Sequence, residues 1–305
     1  MNILVTGANG QLGNSIRKIA ANYPVYRFFF TDVPEVDITN IALLEQLIKT
    51  NNIQAIINCA AYTAVDRAET EIDATRKINV DGVRNLATAA KHANIKLIHI
   101  STDYVFNGEN NVPLKETDAT DPIGMYGKTK FEGEIAVKES GCDALVIRTA
   151  WLYSEFGANF VKTMLRLGRE RDELSVVYDQ VGTPTYATDL AVAILELLQK
   201  DFSGYNLYHY SNEGVISWYD FAKAIFDISG IQIKLNAIES SEYPTPAKRP
   251  AYSVLSKKKI KEAGIDTPYW RESLIECLSY ISITDSNKYA NNESKNRTKQ
   301  IKQKK

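Results

Sequence analysis

The fold is decided by the run Ile3-Leu4-Val5-Thr6-Gly7-Ala8-Asn9-Gly10-Gln11-Leu12-Gly13. A short apolar strand leads directly into a turn with glycine at positions 7, 10 and 13, and a helical pattern then continues to about residue 22. Glycine permits a tight turn and a close approach of phosphate groups to the backbone, and the helix N-terminus adds free N–H groups. The unit therefore predicts a dinucleotide-binding turn, with GxxGxxG spacing in place of the more common GxGxxG. Taken alone, the spacing also fits a glycine-rich turn without a ligand.

The first half of the chain alternates short apolar runs with helical patterns. The predicted strands lie at 3–5, 26–31, 55–58, 96–101 and 144–148, and the predicted helices at about 11–22, 41–49, 74–92 and 126–140. Near-continuous apolar strands separated by helices indicate a parallel sheet covered on both faces. Since such crossovers are right-handed, the sequence predicts an α/β fold with a doubly wound, Rossmann-like parallel sheet.

The alternation becomes less regular after Trp151. We expect residues 1–150 to form the dinucleotide-binding domain, completed by later segments near 176–200. Residues 151–284 are expected to form mainly a smaller C-terminal, substrate-binding lobe, with further helices at 159–169, 189–199 and 218–228.

The last residues have a different composition. The segment 288–305 holds seven Lys or Arg against one Glu and few apolar residues. Such a composition cannot offset the entropy of ordering, so residues 285–305 are expected to form a disordered basic tail. A basic arm for an acidic partner is the alternative.

Charge and cysteine content exclude several classes of protein. The formal net charge of −1 gives no reason to expect a nucleic acid or an anionic membrane as partner. Cys59, Cys142 and Cys277 are widely spaced and form no CxxC motif, which argues against a disulfide framework and a zinc site. We find no signal-peptide pattern and no apolar run near the roughly 20 residues of a membrane span, so we expect a cytoplasmic protein without membrane association.

Acidic and small residues after the next two strands complete the expected cofactor site. Asp32 follows the second strand, where an acid accepts hydrogen bonds from ribose hydroxyls and nominally favours NADH over NADPH. No arginine follows it directly, and the choice between NADH and NADPH stays open. Asp37 and Ile38 could flank the adenine, and the loop 60–63 follows the third strand, where it would pass the phosphates or ribose.

A hydroxyl at a strand end and a tyrosine–lysine pair predict the chemical site. Tyr126 and Lys130 are four residues apart, which places them on one face of a helix. An ammonium near the phenol is expected to lower its pKa. Thr102 ends the fourth strand, where ligands of open α/β sheets bind, and its hydroxyl could hold a substrate carbonyl oxygen. A surface helix that merely contains Tyr and Lys is the alternative for the pair alone.

These motifs together resemble the extended short-chain dehydrogenase/reductase family. The resemblance rests on residues 7–13, 60–63, 101–106 and 126–130, and it extends through 148–153 and 179–185. It implies that Thr102, Tyr126 and Lys130 are catalytic and that Thr102, Asp103 and Trp151 bind the substrate. It implies contacts to NADPH or NADH from Gly7, Gly10, Gln11, Leu12, Gly13, Asp32, Asp37, Ile38, Ala61, Tyr62, Thr63, Tyr126 and Lys130.

The same resemblance implies a reaction and partners. The expected activity is reduction of the C4 keto group of dTDP-4-dehydro-L-rhamnose to dTDP-L-rhamnose, for cell-surface polysaccharide. Asn159 and Arg249 are candidates for the diphosphate of this dTDP-sugar. A homodimer and a Mg²⁺ ion occur among relatives, but no metal ligands can be named here. The alternatives are a sugar-nucleotide epimerase or dehydratase of the same superfamily, or a non-catalytic regulatory subunit.

Overall fold

A computed structural model describes residues 1–283 of the 305-residue chain. The strands are β1 (Asn2–Thr6), β2 (Arg27–Phe30), β3 (Ala55–Asn58), β4 (Lys96–Thr102), β5 (Ala144–Thr149), β6 (Leu152–Tyr153), β7 (Glu173–Val177), β8 (Val181–Gly182), β9 (Thr185–Tyr186), β10 (Tyr205–His209), β11 (Ile216–Ser217) and β12 (Lys234–Ile238). The helices are α1 (Gln11–Ile19), α2 (Ile41–Thr50), α3 (Val65–Ala68), α4 (Ile72–Arg76), α5 (Val83–Ala93), α6 (Met125–Ser140), α7 (Phe160–Glu170), α8 (Ala187–Gln199), α9 (Trp218–Ser229), α10 (Lys258–Glu262) and α11 (270–283).

The central sheet has six strands in the order β10-β5-β4-β3-β1-β2, and every pairing in it is parallel. The chain runs from β1 outward to β2 and then returns to β3 on the other side of β1. Ligands of open α/β sheets bind where the strand order reverses, outside the carboxyl ends of the strands. The loops that follow β1 and β3 therefore define the expected cofactor position.

Apolar side chains cover both faces of this sheet. One face is packed by α1 and α8, with Ile16 and Ile194 in the same buried cluster as Ile3 and Ile57. The other face is packed by α2, α5 and α6 around Leu4, Ile56 and Val146. Since strands buried on both faces cannot alternate apolar with polar residues, they are the near-continuous apolar runs visible in the sequence.

A further apolar cluster, separate from the two that cover the sheet, forms the core of the smaller lobe. It joins α7, α9 and α11 to the parallel pair β7–β12 around Phe221 and Trp270. Two further short pairings, β6 with β9 and β8 with β11, lie outside the central sheet.

The doubly wound fold predicted from the sequence is confirmed, with two differences in detail. Within the segment 176–200, α8 packs on the central sheet, but β7 at the start of that segment pairs with β12 in the smaller lobe. The strand that extends the central sheet is β10. The helix predicted at 74–92 is three consecutive pieces, because a π-helical segment, Lys77–Gly82, separates α4 from α5. The expected basic tail at 285–305 lies outside the described residues.

Among residues 1–283, we find no helix that is both long and apolar enough to cross a membrane.

Candidate active site

The glycine turn lies against the loop after β3. Gly7 has φ +64°, and a Cβ there would lie 2.5 Å from the backbone nitrogen of Ala60. A Cβ on Gly13 would lie 2.5 Å from the Cα of Ala8, so this glycine lets the helix close onto the turn. Gly10 is the N-cap of α1 and makes no side-chain cap, which leaves the first N–H groups of α1 open to a ligand. The turn therefore has the shape that phosphate groups require.

A groove of about 360 Å³ follows this turn. Six of the predicted cofactor residues line it: Gly7, Gly10, Asp32, Asp37, Ile38 and Ala61. Asp32 accepts hydrogen bonds of 2.8 Å from the backbone N–H groups of Asn9 and Val33. The carboxylate therefore holds the turn in shape as well as facing the groove.

Gln11 and Leu12 do not line this groove. The Leu12 side chain is buried in the core between α1 and the sheet, so only its backbone can face a ligand. The Gln11 side chain is directed toward the C-terminal half of the chain, where its Oε1 accepts hydrogen bonds of 3.0 Å from Ser154 and Asn159. Their roles at the cofactor stay predictions.

The loop at Tyr62 and Thr63 is held by a residue that the sequence did not single out. Neither Tyr62 nor Thr63 lines the groove. The Asn79 side chain accepts from the backbone N–H of Tyr62 at 2.9 Å and donates to its carbonyl at 3.1 Å. It also donates to the Thr129 hydroxyl on α6. Asn79 lies in the π-helical segment, and such segments are frequent at functional sites, but the sequence pattern shows only a continuous helix.

The structure brings together the three predicted catalytic residues. Thr102 ends β4 and Tyr126 lies at the start of α6, where the Thr102 hydroxyl is near enough to lower the pKa of the phenol. The Tyr104 ring meets the Tyr126 ring edge-on, with 5.5 Å between centroids. Glu69 accepts from the backbone N–H of Met125 at 2.8 Å and so caps the helix that carries the tyrosine.

Lys130 lies one helical turn beyond Tyr126 and is only 2% exposed. Its ammonium donates to the carbonyl oxygen of Ile100 on β4 at 2.6 Å. Burial lowers the pKa of Lys130 to about 8, opposed by the charge of Glu134. Since an ammonium has three donors, two remain for a ligand.

The expected effect of Lys130 on Tyr126 is wrong in this structure. The pKa of Tyr126 is raised to about 12 because burial disfavours the phenolate, and the nearby Asp103 charge adds to that effect. The nearby Thr102 hydroxyl opposes this rise in pKa only in part. Tyr126 is therefore a neutral phenol at pH 7, which is the form that can donate a proton.

A carboxylate follows Thr102 directly. Asp103 accepts from the Thr102 hydroxyl at 2.9 Å. Its Oδ2 is buried, and the Ser253 side chain lies near enough to lower the pKa of this carboxyl. Burial has the larger effect and raises the pKa of Asp103 to about 6. A contact between Asp103 and a substrate stays a prediction.

Ser101, next to Thr102 on β4, makes a structural contact and does not face the site. Successive side chains of a strand point to opposite faces, and Ser101 donates to Glu134, which forms a two-point ion pair with Arg148 at 2.7 and 2.9 Å. This buried group fixes α6 to β4 and β5 beneath the site.

A cavity of about 640 Å³ opens between the lobes next to Tyr104. Trp218 lines it together with residues of α7 and β7. Trp151, the predicted sugar contact, stacks on Trp218 with 3.7 Å between ring centroids. One face of Trp151 is therefore covered, and a contact between Trp151 and a substrate stays a prediction.

The two candidates for the diphosphate are both bonded within the protein. Asn159 caps α7 by accepting from the backbone N–H of Lys162, and its Nδ2 donates to Gln11. It does not line the cavity, and its contact with the diphosphate stays a prediction. Arg249 does line the cavity, and it is paired with Asp66 at 2.7 Å.

Residues 1–283 contain no group of three or more His, Cys, Asp or Glu side chains placed to hold a metal ion.

The parallel sheet, the glycine turn and the Thr102–Tyr126–Lys130 arrangement define the class as Rossmann-like oxidoreductases. The family model described as "RmlD substrate binding domain" matches residues 1–283. The chain belongs to this family.

Named relatives cover nearly the whole chain. It is 43% identical to dTDP-4-dehydrorhamnose reductase of Aggregatibacter actinomycetemcomitans, over 91% of this chain and 98% of that one. It resembles the solved structure of a dTDP-4-dehydrorhamnose reductase from Clostridium acetobutylicum with a TM-score of 0.88 and 45% identity, over 92% and 100% of the two chains. The dTDP-4-dehydrorhamnose reductase of Bacillus anthracis, solved in complex with NADP, has a TM-score of 0.88 and 41% identity, over 92% and 99%.

Proposed function

We propose that this protein reduces the C4 keto group of dTDP-4-dehydro-L-rhamnose to give dTDP-L-rhamnose, for cell-surface polysaccharide. The observation that carries the proposal is the placement of Tyr126 and the buried Lys130 one turn apart on α6, with Lys130 bonded to β4, the strand that ends at Thr102, in a chain of this family. The relatives named as reductases of this sugar support the choice of substrate.

The residues of the groove fit a dinucleotide. Its glycine turn leaves no room for a Cβ at Gly7, and the open N–H groups of α1 suit a pyrophosphate. When bound, NADPH or NADH supplies the hydride. The NADP complex of the relative supports NADPH, whereas Asp32 in the groove can bind the hydroxyls of a ribose as in NADH.

Tyr126 supplies the proton. As a hydride adds to C4 of the substrate, the electron pair of the C=O bond moves to oxygen, and that oxygen takes the proton of the Tyr126 hydroxyl. The raised pKa of Tyr126 keeps this proton in place until negative charge develops on the substrate. Thr102, at the end of β4, orients the carbonyl oxygen toward that hydroxyl.

Lys130 is fixed by α6 and β4, and its free donors can bind the cofactor. Its bond to Ile100 fixes the ammonium between α6 and β4, and its two remaining donors are available for the ribose of the nicotinamide nucleotide.

The smaller lobe receives the nucleotide sugar. The cavity has Trp218 and Arg249 on its walls. Asp103, which accepts from the Thr102 hydroxyl, is the proposed acceptor for a hydroxyl of the sugar. The placement of α8 and β10 on the central sheet supports a cofactor domain at 1–150 that later segments complete, with residues 151–284 forming mainly the substrate lobe. A cytoplasmic location agrees with this chemistry, and size-exclusion chromatography tests the homodimer.

The test is oxidation of NADPH and of NADH by the purified protein with a small panel of dTDP-ketosugars. We expect turnover with dTDP-4-dehydro-L-rhamnose and formation of dTDP-L-rhamnose. Absence of turnover with that sugar and either cofactor contradicts the proposal. Tightly bound NAD in the purified protein, released only on denaturation, would instead favour an epimerase or dehydratase. Co-elution with a partner enzyme and no turnover would favour a regulatory subunit.

A further inference from the structure

An ion pair joins the segment after β3 to the C-terminal lobe. Asp66, on α3, accepts from both terminal nitrogens of Arg249, at 2.7 Å on Oδ1 and 2.8 Å on Oδ2. Oδ1 also accepts from the backbone N–H of Ala247 at 3.2 Å. Arg249 in turn donates to the Ala247 carbonyl at 2.7 Å. One carboxylate therefore fixes both the guanidinium and the backbone of the segment 247–249.

The pair lies at the wall of the substrate cavity. Arg249 and Tyr104 both line the cavity, and the Tyr104 ring contacts Tyr126. The charges of Arg249 and Asp66 both influence the pKa of Tyr104, which burial raises. The pair is thus separated from the proton donor by a single aromatic ring.

Arg249 keeps donors for a ligand. A guanidinium has five N–H donors, and three hydrogen bonds go to Asp66 and Ala247, which leaves two. The Arg249 side chain is 21% exposed and the Asp66 side chain 40%. At such exposure the pair adds little to folding stability, whereas a two-point bond strongly restricts where the guanidinium can lie.

We propose that Asp66 is a positioning residue for the substrate side of the reaction, acting through Arg249. It holds the guanidinium on the cavity wall so that its remaining donors meet the anionic part of a nucleoside-diphosphate sugar. It also holds the segment 247–249 against α3, so that the cavity keeps its shape. The inference rests on the proposed function for its substrate class.

The first experiment compares Asp66→Asn with the wild type. Loss of a charge-assisted bond predicts that KM for dTDP-4-dehydro-L-rhamnose rises about tenfold, with kcat and the Kd for NADPH within about twofold. Asp66→Glu restores most of the affinity, because it keeps the carboxylate. Asp73→Asn, an exposed acid on neighbouring α4, is the matched control and leaves KM unchanged. An unchanged KM in Asp66→Asn, with or without a lower thermal midpoint, overturns the proposal.

A second comparison tests the path through Arg249. Arg249→Met removes the charge and keeps most of the length of the side chain. If Asp66 acts only through Arg249, adding Asp66→Asn to Arg249→Met raises KM no further. If the KM increases of the two single variants multiply in the double variant, the two residues act independently, and the proposal is overturned.

Binding of dTDP, measured by calorimetry, separates this inference from the proposed function. We expect Asp66→Asn to weaken dTDP binding by the same factor as KM, and the wild type to bind dTDP whether or not it reduces the ketosugar. A wild type without turnover contradicts the proposed function alone. A wild type without affinity for dTDP, or equal affinity in Asp66→Asn, contradicts the role of Asp66.

Discussion

The amide nitrogen of Asn159 donates a hydrogen bond of 3.0 Å to Oε1 of Gln11, across 148 positions of the chain. The same oxygen accepts from the Ser154 hydroxyl, and the Gln11 amide nitrogen donates to the Leu152 carbonyl at 3.3 Å. A residue of the glycine turn is thus bonded to the segment that leads into the smaller lobe. The cofactor turn and the substrate lobe therefore share one set of hydrogen bonds.

Replacement of Gln11 by leucine removes these bonds and leaves polar partners unpaired. We expect the free energy of unfolding to fall by about 2 kcal/mol, measured by urea denaturation. Gln46→Leu, at an exposed position on α2, is the control and changes it by less than about 0.5 kcal/mol. Equal effects of the two substitutions would show that the bonds of Gln11 add nothing to stability.

Alanine substitutions at Gly7 and Gly204 distinguish the cost of a steric clash from the cost of backbone strain. They have nearly the same φ, +64° and +63°, but a Cβ at Gly204 has no atom within 4 Å, whereas one at Gly7 meets Ala60 at 2.5 Å. Gly204→Ala is expected to cost about 1 kcal/mol for the left-handed conformation. Gly7→Ala is expected to cost about 2 kcal/mol more, because the backbone must shift, and to weaken NADPH binding measured by fluorescence. Identical losses of stability and unaltered cofactor binding in both variants would contradict the close approach.

The buried ammonium of Lys130 predicts how stability depends on pH. Its pKa is about 8 in the folded protein and 10.5 for an exposed lysine, so between these values the unfolded chain binds more protons. The free energy of unfolding therefore rises with pH over this window, by at most about 3 kcal/mol from this group. Lys130→Met abolishes that rise, whereas Lys128→Met, at an exposed position on the same helix, keeps it. A rise of equal size in all three proteins would contradict the burial of the charge.

The raised pKa of Asp103 predicts that activity falls on the acid side of the pH profile, which we call the acid limb. Burial raises its pKa to about 6, so the carboxylate is ionised above that pH and can accept a hydrogen bond from the sugar through Oδ2. We expect kcat/KM to fall as the pH drops through about 6. Asp103→Asn lowers the plateau and removes this limb, while Asp73→Asn retains it. A limb that persists in Asp103→Asn belongs to another group.

Most of the fold could be predicted because its determinants are local. Strands buried on both faces require continuous apolar runs, and the glycine spacing after Val5 has a direct steric cause, the approach of Ala60 to Gly7. The spacing of Tyr126 and Lys130 likewise follows from helix geometry alone. These features need no knowledge of what lies elsewhere in the chain.

What could not be predicted depends on contacts between distant segments. The Asp66–Arg249 pair spans 183 positions, and the stacking of Trp151 on Trp218 joins two elements of the smaller lobe. The direction of the pKa change at Tyr126 depends on burial by the assembled structure, which outweighs the helical neighbour that the sequence displays. Asn79 was missed because a π-helical segment has no distinct apolar pattern.

The most direct measurement of the central claim is the turnover of dTDP-4-dehydro-L-rhamnose by Tyr126→Phe, with the Kd for NADPH measured on the same protein. Proton donation by Tyr126 predicts that kcat falls by at least about a hundredfold, while the Kd stays within about threefold of the wild type. Tyr178→Phe, at an exposed position outside the candidate active site, is the control and keeps full activity. Turnover by Tyr126→Phe at the rate of the wild type would contradict the claim that Tyr126 gives its proton to the substrate.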